Sequence, residues 1–416
     1  MRKIFLSIFF VLALALPSQA GMVQYTIGGY YSSLDGTTRY NGLIGGEAWD
    51  TTEANRRQLL PVDGTASNLF TNLTGAASGT VDVVLRNESG DSSVVNQITS
   101  GNSEDEDTTH TLDFSAGDLI SISGVNAGSV VRGAWSLKLS LDNDKEGFTS
   151  VTSLDSPSTS STEYMSVQGF SSWYGLESGR YMYAPVAFTA KKIYVRTPDS
   201  PGTGNYDFTV RKEGAGTLLT CNIDSAASHG SGGYYCTASQ DVSFAKGDRI
   251  TVQSIPNSSP DALSIVYIGI VADTGTNGES ILFAFQSSKT TDSTEYAAIR
   301  GGSWNASESQ RYQTVAGETK FQDLYVIADA GPGNGTGTVA IDLRDDGSDT
   351  ALDCTLTDSD TECSESGPVT VGAGSIITYG GVSNADADTI SIGVGMVQYN
   401  EPAGGGPLPQ VIINAW

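Results

Sequence analysis

The stretch "VDVVLR", residues Val81–Arg86, decides the fold class because its apolar residues fall on every second position. It recurs as "YDFTVR" at Tyr206–Arg211 and as "VAIDLR" at Val339–Arg344. A period of two is typical of a β-strand that buries one face. Three copies of one such strand predict three copies of a larger β unit.

Other strand and turn signals keep register with this stretch. Each copy has a tyrosine and a tryptophan before it, a turn after it, and a long alternating strand at its end, such as "AWSLKLSL" at 134–141. The chain also contains 49 glycines, as expected for many turns. Roughly seven to ten short strands in each copy predict a sandwich, a jelly roll or a barrel.

The N-terminus has the features of a secretory signal peptide. Arg2 and Lys3 precede an apolar run, Ile4–Leu16, and "SQA" ends at Ala20. This run is too short to span a membrane, so the pattern predicts a secreted protein, extracellular or on a cell surface, without a membrane span.

The charge of the chain excludes some partners. The formal net charge is −25, which opposes nucleic-acid phosphates and anionic lipids and leaves cations as plausible ligands. Only 17% of residues are charged, so the chain is not a disordered acidic tail.

Several segments resemble one known repeat. "VDGTASNLFTNL", "RKEGAGTLLTCNI", "LRDDGSDTALDCTL" and "FSAGDLISI" are similar to the tandem repeats of uncharacterised secreted bacterial proteins and phage surface proteins. The resemblance implies a jelly-roll-like β-sandwich and a surface or appendage protein, and it supplies no catalytic residues. The first copy departs from the pattern because it lacks the cysteine of the other two.

The expected organisation is therefore all-β, with three tandem β-sandwich, jelly-roll-like domains after a signal peptide. The predicted boundaries are 1–20 for the signal peptide, 21–142, 143–273 and 274–400 for the three sandwich repeats, and 401–416 for a Gly/Pro-rich joint and C-terminal strand. Whether the repeats form a line or a compact pseudo-trimer stays open.

The four cysteines fall in the second and third copies, and they permit three pairings. The repeat favours Cys221 with Cys236 and Cys354 with Cys363, each pair stapling a β-hairpin in an oxidising compartment. A zinc site is a poor alternative, because the spacings are wrong and the chain has only two histidines.

One polar set occurs three times: Trp, three residues, Glu, two residues, Arg. It suits a short helical turn or an ordered loop. The tryptophan could stack on a sugar beside the Glu and Arg, or it could plug the core while the Glu and Arg pair nearby and pin the loop. The second interpretation is favoured, because the set keeps register with packing residues. The candidate binding residues are Trp49, Glu53, Arg56, Trp173, Glu177, Arg180, Trp304, Glu308 and Arg311.

Acidic segments such as "EDED" at Glu104–Asp107 and "RDDGSD" are interpreted as solvated loops. Calcium is a possible ligand of such loops, but none matches an EF-hand, so no cofactor and no metal site is assigned. Motifs of known hydrolases and nucleotide-binding enzymes are absent from the sequence, and no catalytic residue is assigned.

The favoured function is a secreted, non-enzymatic structural or adhesive surface protein, with assembly through its C-terminal strand as a further expectation. The alternative is a carbohydrate-binding protein that uses the repeated Trp-Glu-Arg sites. The expected partners are other surface proteins, further copies of the chain, or glycans.

Overall fold

The computed structural model describes residues 22–44, 48–228, 233–299, 303–333 and 335–400. The regular secondary structure of these residues is almost entirely β-strand, which confirms the predicted all-β sandwich fold. The predicted signal peptide and the predicted C-terminal strand lie outside the described residues. Among the described residues, no helix is long and apolar enough to cross a membrane.

The strands fall into three consecutive groups, called here the first, second and third unit. The first unit contains β1 (Met22–Leu34), β2 (Arg39–Asn41), β3 (Gln58–Leu59), β4 (Gly64–Leu73), β5 (Val81–Asn87), β6 (Gly90–Ile98), β7 (Glu104–Phe114), β8 (Leu119–Asn126) and β9 (Val131–Leu141). The second contains β10 (Glu146–Ser153), β11 (Glu163–Met165), β12 (Gly169–Ser171), β13 (Met182–Tyr183), β14 (Phe188–Thr197), β15 (Asn205–Lys212), β16 (Ala215–Ile223), β17 (Tyr234–Phe244), β18 (Arg249–Asn257) and β19 (Tyr267–Asp273). The third contains β20 (Glu279–Lys289), β21 (Thr294–Ala297), β22 (Gln313–Thr314), β23 (Thr319–Ala328), β24 (Thr338–Asp345), β25 (Ser348–Thr357), β26 (Glu362–Glu365), β27 (Val369–Val371), β28 (Ile376–Ser383) and β29 (Ile390–Tyr399).

Each unit has the strand order of a jelly roll. In the first unit one sheet runs β1-β9-β4-β7 and the other β2-β8-β5-β6. The second unit repeats this order as β10-β19-β14-β17 and β11-β18-β15-β16, and the third as β20-β29-β23-β26 and β21-β28-β24-β25. Two four-stranded antiparallel sheets connected in this way are the double Greek key of a jelly roll.

The repeated "VDVVLR" strand lies in the core of each sandwich. Val81, Val83 and Leu85 on β5 are completely buried, as the alternation predicts. Their counterparts on β15 and β24 are buried as well. In each unit these side chains pack against apolar residues of the opposite sheet, forming one core per unit.

Both predicted disulfides are present, Cys221–Cys236 and Cys354–Cys363. The expectation that each staples a hairpin is wrong. Cys221 lies on β16 and Cys236 on β17, which belong to opposite sheets, and the same holds for β25 and β26. The chain crosses the edge of the sandwich between these strands, so each disulfide clamps one sheet to the other.

In the first unit, hydrogen bonds connect the two sheets at the position of the disulfides. Asn96 pairs with Val83 in the register in which Cys221 pairs with Phe208, and Asp105 takes the position of Cys236. The buried Asn96 Nδ2 donates to the Asp105 carbonyl oxygen at 2.9 Å and to Thr71 Oγ1 at 3.0 Å. A polar side chain therefore joins the two sheets where the other units have a covalent bond.

The three units close into a ring. The short strand that follows the 3-10 turn of each unit contacts the first and last strands of the next: β3 contacts β10 and β19, β13 contacts β20 and β29, and β22 contacts β1 and β9. The first strands β1, β10 and β20 also contact one another. The structure thus answers the open question of arrangement with a compact pseudo-trimer.

The junctions reuse equivalent positions with different side chains. Between the first and second units, Leu59, Leu119, Ile265 and Tyr267 form a buried apolar cluster. Gly269 lets this junction close, because a Cβ there would lie 2.8 Å from Leu59 Cδ2. Between the third and first units, Ser136 takes the position of Gly269. Its Oγ accepts a hydrogen bond from the Ala316 N–H at 2.9 Å. Between the second and third units, β13 hydrogen-bonds to β20 and joins two sheets into one.

We expect Gly269→Val to destabilise the ring by about 1–3 kcal/mol, because the added methyl groups overlap Leu59 and Pro61. Chemical denaturation measures this loss. Gly75→Val is the control, since no atom lies within 4 Å of a Cβ at Gly75. Equal stability of the two variants would show that the first junction is not tightly packed.

We also expect the double variant Asn96→Cys/Asp105→Cys to form a third disulfide, because these positions match those of Cys221 and Cys236. Non-reducing peptide mapping detects the bond, with the single variant Asn96→Cys as control. Two free thiols under conditions that oxidise the native cysteines would contradict the proposed equivalence of the units.

Candidate functional site

The glutamate of each Trp-Glu-Arg set begins a short 3-10 turn, as the spacing predicts. The turns span Glu53–Arg56, Glu177–Arg180 and Glu308–Gln310. Each turn lies between the second strand of its unit and the short strand that contacts the next unit. The set therefore lies at the point where each unit reaches its neighbour.

The three tryptophans are buried, which confirms the packing interpretation of their position. Trp49 packs over Gly124, where a Cβ would meet the indole at 2.9 Å, and Trp304 packs in the same way over Gly381. Trp173 lies 5.9 Å from the ring of Phe208. The indoles belong to the apolar core of each sandwich, so their faces are covered by protein.

The glutamates bind an arginine of the repeated core strand rather than the arginine of their own set. Arg86 Nε donates to Glu53 Oε1 at 2.9 Å. Arg211 and Arg344 make the same bond to Glu177 and Glu308, at 2.7 Å in each case. These strand arginines end "VDVVLR", "YDFTVR" and "VAIDLR", so the repeat already contained the signal that sequence reasoning did not use.

Each carboxylate has a second partner on the neighbouring strand. The donors are hydroxyl groups on β8, β18 and β28. Ser121, Thr251 and Thr378 donate to the Oε1 atom of the glutamate of their own unit, at 2.9, 2.9 and 3.2 Å. The strand arginines also lie over the tyrosines that precede the sets, at 5.4–5.5 Å; these are Tyr40, Tyr164 and Tyr296. We call this repeated group of Tyr, Glu, Arg and Ser or Thr the glutamate clamp.

The electrostatics of the first clamp follow from these contacts. Burial alone would raise the pKa of Glu53, but the hydrogen bonds from Arg86 and Ser121 outweigh it and hold the pKa below its usual range. The carboxylate therefore stays ionised at neutral pH. Its charge is already satisfied by neighbouring side chains.

The arginines of the sets hold the backbone in front of the tryptophans. Arg56 Nε donates to the Ala48 carbonyl oxygen at 3.0 Å. Arg180 and Arg311 donate in the same way to the carbonyl oxygens of Ser172 and Ser303, at 2.7 and 2.8 Å. The expected pairing of Glu and Arg within a set is thus replaced by two separate contacts, one to a strand and one to the loop.

The acidic segment Glu104–Asp107 is not a solvated loop, because it forms the start of β7. Asp107 is buried, which raises its pKa, but hydrogen bonds from the N–H groups of Val95, Thr109 and His110 outweigh burial and bring it to about 2. In the part of the chain that the structure describes, no group of three or more His, Cys, Asp or Glu side chains is placed to hold a metal ion.

Comparisons with known proteins identify no family. No family model matches the chain, and no curated protein matches it. Among solved structures, a chain described under "atomic structure of Sulfolobus Turreted Icosahedral Virus" is similar over 82% of this chain and 81% of its own length, with 12% identity and a TM-score of 0.15. At that score the likeness carries no conclusion about this protein.

We expect Glu53→Gln to lower the free energy of unfolding by about 1.5–3 kcal/mol at pH 7, because it removes the charge that Arg86 and Ser121 bind. The lowered pKa of Glu53 stabilises the fold above the unfolded pKa of about 4.3 and loses that effect as the pH falls through the folded value. The difference from the wild type should therefore shrink below about pH 4.

Chemical denaturation at several pH values tests this expectation. Glu318→Gln, a change at an exposed glutamate, is the control and should alter stability by less than about 0.5 kcal/mol. A Glu53→Gln variant as stable as this control at pH 7 would mean that the clamp contributes nothing to the fold.

Proposed function

We propose that the protein is a secreted, non-enzymatic structural or adhesive surface protein whose three jelly rolls act as one rigid body. The observation that carries the proposal is the use of the repeated polar set. In all three units its tryptophan is buried, its glutamate is bound by a strand arginine, and its arginine is bound to the backbone. A motif used three times for internal contacts suits a scaffold.

The location outside the cell is supported by two features. The sequence begins with a signal-peptide pattern, and the two disulfides are compatible with an oxidising extracellular compartment. The resemblance to secreted and phage surface repeats agrees with this location. The partners we propose are other surface proteins, further copies of the chain, or glycans.

The arrangement of edges also suits a surface scaffold. In each unit the first strand and the short junction strand face a neighbouring unit. The outer edges of the sheets are therefore β6 and β7 in the first unit, β16 and β17 in the second, and β25 and β26 in the third. Disulfides or the Asn96 hydrogen bonds clamp these edges, and acidic residues of β7 line one of them. Charged and clamped edges resist unspecific strand pairing.

The carbohydrate-binding alternative at the nine Trp-Glu-Arg residues has less support. Sugar stacking needs an exposed aromatic face, and the three indoles are buried. The carboxylates and guanidinium groups of the sets are already hydrogen-bonded within the protein. A ligand at these positions would have to displace contacts that the fold uses.

The proposal predicts that the protein is found on a surface and that it assembles. Immunogold labelling of the source cells or particles should mark their outer surface. Light scattering on the mature chain should show assemblies that are lost when residues 401–416 are deleted, because the proposed C-terminal strand lies there. Label confined to the cell interior, or free monomers in the medium together with no difference between full-length and truncated chains, would contradict the proposal.

A further inference from the structure

A groove of about 590 Å³ lies where β13 of the second unit meets β20 of the third. One wall carries Tyr181, Tyr183 and Arg249, and the other carries Phe285, Gln286 and Asp329. Ligand sites for small molecules commonly have this size and combine aromatic side chains with a few polar groups. The groove shares none of the nine Trp-Glu-Arg residues.

The groove is open because of side chains that differ between junctions. Tyr183 pairs with Arg249 in the register in which Leu59 pairs with Leu119 in the first unit. The two leucines are buried in the apolar cluster that seals the first junction. Tyr183 and Arg249 are only half-buried, and they end in polar groups that an apolar junction could not cover. Equivalent positions are thus buried at the junction of the first and second units and open to solvent at the junction of the second and third.

Three aromatic side chains line the groove: Tyr181, Tyr183 and Phe285. Arg249 lies over the ring of Tyr181 at 4.7 Å, which holds both side chains in place. Phe285 is 36% exposed, whereas the four residues before it on β20 are buried. An aromatic ring held at a surface beside other rings offers a flat apolar face to a ligand.

The polar groups of the groove offer both donors and acceptors, among them the Asp329 carboxylate, which accepts from the Ser391 N–H at 2.8 Å. Arg249 is already paired with Glu213, at 2.6 Å, so its charge needs no anionic ligand. The Tyr183 hydroxyl lies 3.5 Å from Gln286 Oε1, and Ser287, Ser288 and Ser391 add further hydroxyl groups. Burial raises the pKa of Tyr183, which keeps its phenol protonated as a donor. Such a lining matches a ligand rich in hydroxyl groups.

We infer that this groove is a binding site for a neutral saccharide. A pyranose ring stacks its apolar C–H face on an aromatic side chain while its hydroxyl groups bind amide, carboxylate and hydroxyl partners, which is the combination present here. An anionic ligand is disfavoured by the net charge of −25 and by the pairing of Arg249. The inference rests on the groove and is independent of the proposed scaffold role.

The test uses the mature full chain on a printed array of neutral hexose and N-acetylhexosamine oligosaccharides, followed by calorimetric titration with the strongest oligosaccharide. We expect saturable binding that is weakened at least about tenfold by Tyr181→Ala and blocked by Ser288→Trp, which fills the groove from an exposed position. Tyr235→Ala is the matched control, because this tyrosine is 39% exposed and lies outside the groove.

Thermal melting checks that each variant is folded. If Tyr181→Ala does not fold, the binding of Ser288→Trp alone decides the result. The inference is overturned if no saccharide on the array binds saturably. It is equally overturned if folded Tyr181→Ala or Ser288→Trp binds as tightly as the wild type and Tyr235→Ala. Surface labelling and assembly of the chain are separate measurements, so failure here leaves the scaffold proposal standing.

Discussion

The rest of the structure depends on the hydrogen bond between a half-buried glutamate and the arginine that ends the central strand of each sandwich. Glu53, Glu177 and Glu308 begin the 3-10 turns, and the strand arginines fix the position of those turns against the sheet. The short strand that contacts the next unit starts within a few residues of the turn in every case. The clamp therefore sets the direction in which each unit meets its neighbour.

Partly burying this ion pair has a cost that the surrounding groups offset. Removing two charges from water is unfavourable, and their attraction compensates only if the geometry is good and the remaining lone pairs are satisfied. The hydroxyl groups of Ser121, Thr251 and Thr378 supply that second partner. A hydrophobic replacement could fill the same volume, but it would not fix the rotation of the turn. We interpret the clamp as a device that specifies one arrangement of the units.

Local patterns in the sequence predicted much of this fold, and contacts between distant segments account for what they missed. Alternation identified the core strands, and the repeat identified the cysteine pairs. The partner of Glu53 is 33 residues away on β5, and spacing within the Trp-Glu-Arg set gave no reason to choose Arg86. The hairpin expectation for Cys221 and Cys236 failed because neighbouring strands in the chain lie in opposite sheets. The charge of "EDED" predicts a loop, but these residues begin β7, an edge strand of the sandwich.

Local sequence patterns could not predict the ring or the groove, because both are formed by contacts between distant segments. Both depend on how Leu59, Tyr183 and Thr314, at equivalent positions, meet three different neighbouring surfaces. The three jelly rolls close into one compact ring. Small-angle scattering on residues 21–416 tests this arrangement most directly. A closed ring should give a compact profile with a radius of gyration of about 21 Å, the scaling value for a single folded body of this length. An elongated profile with a clearly larger radius, as for three units in a line, would contradict it.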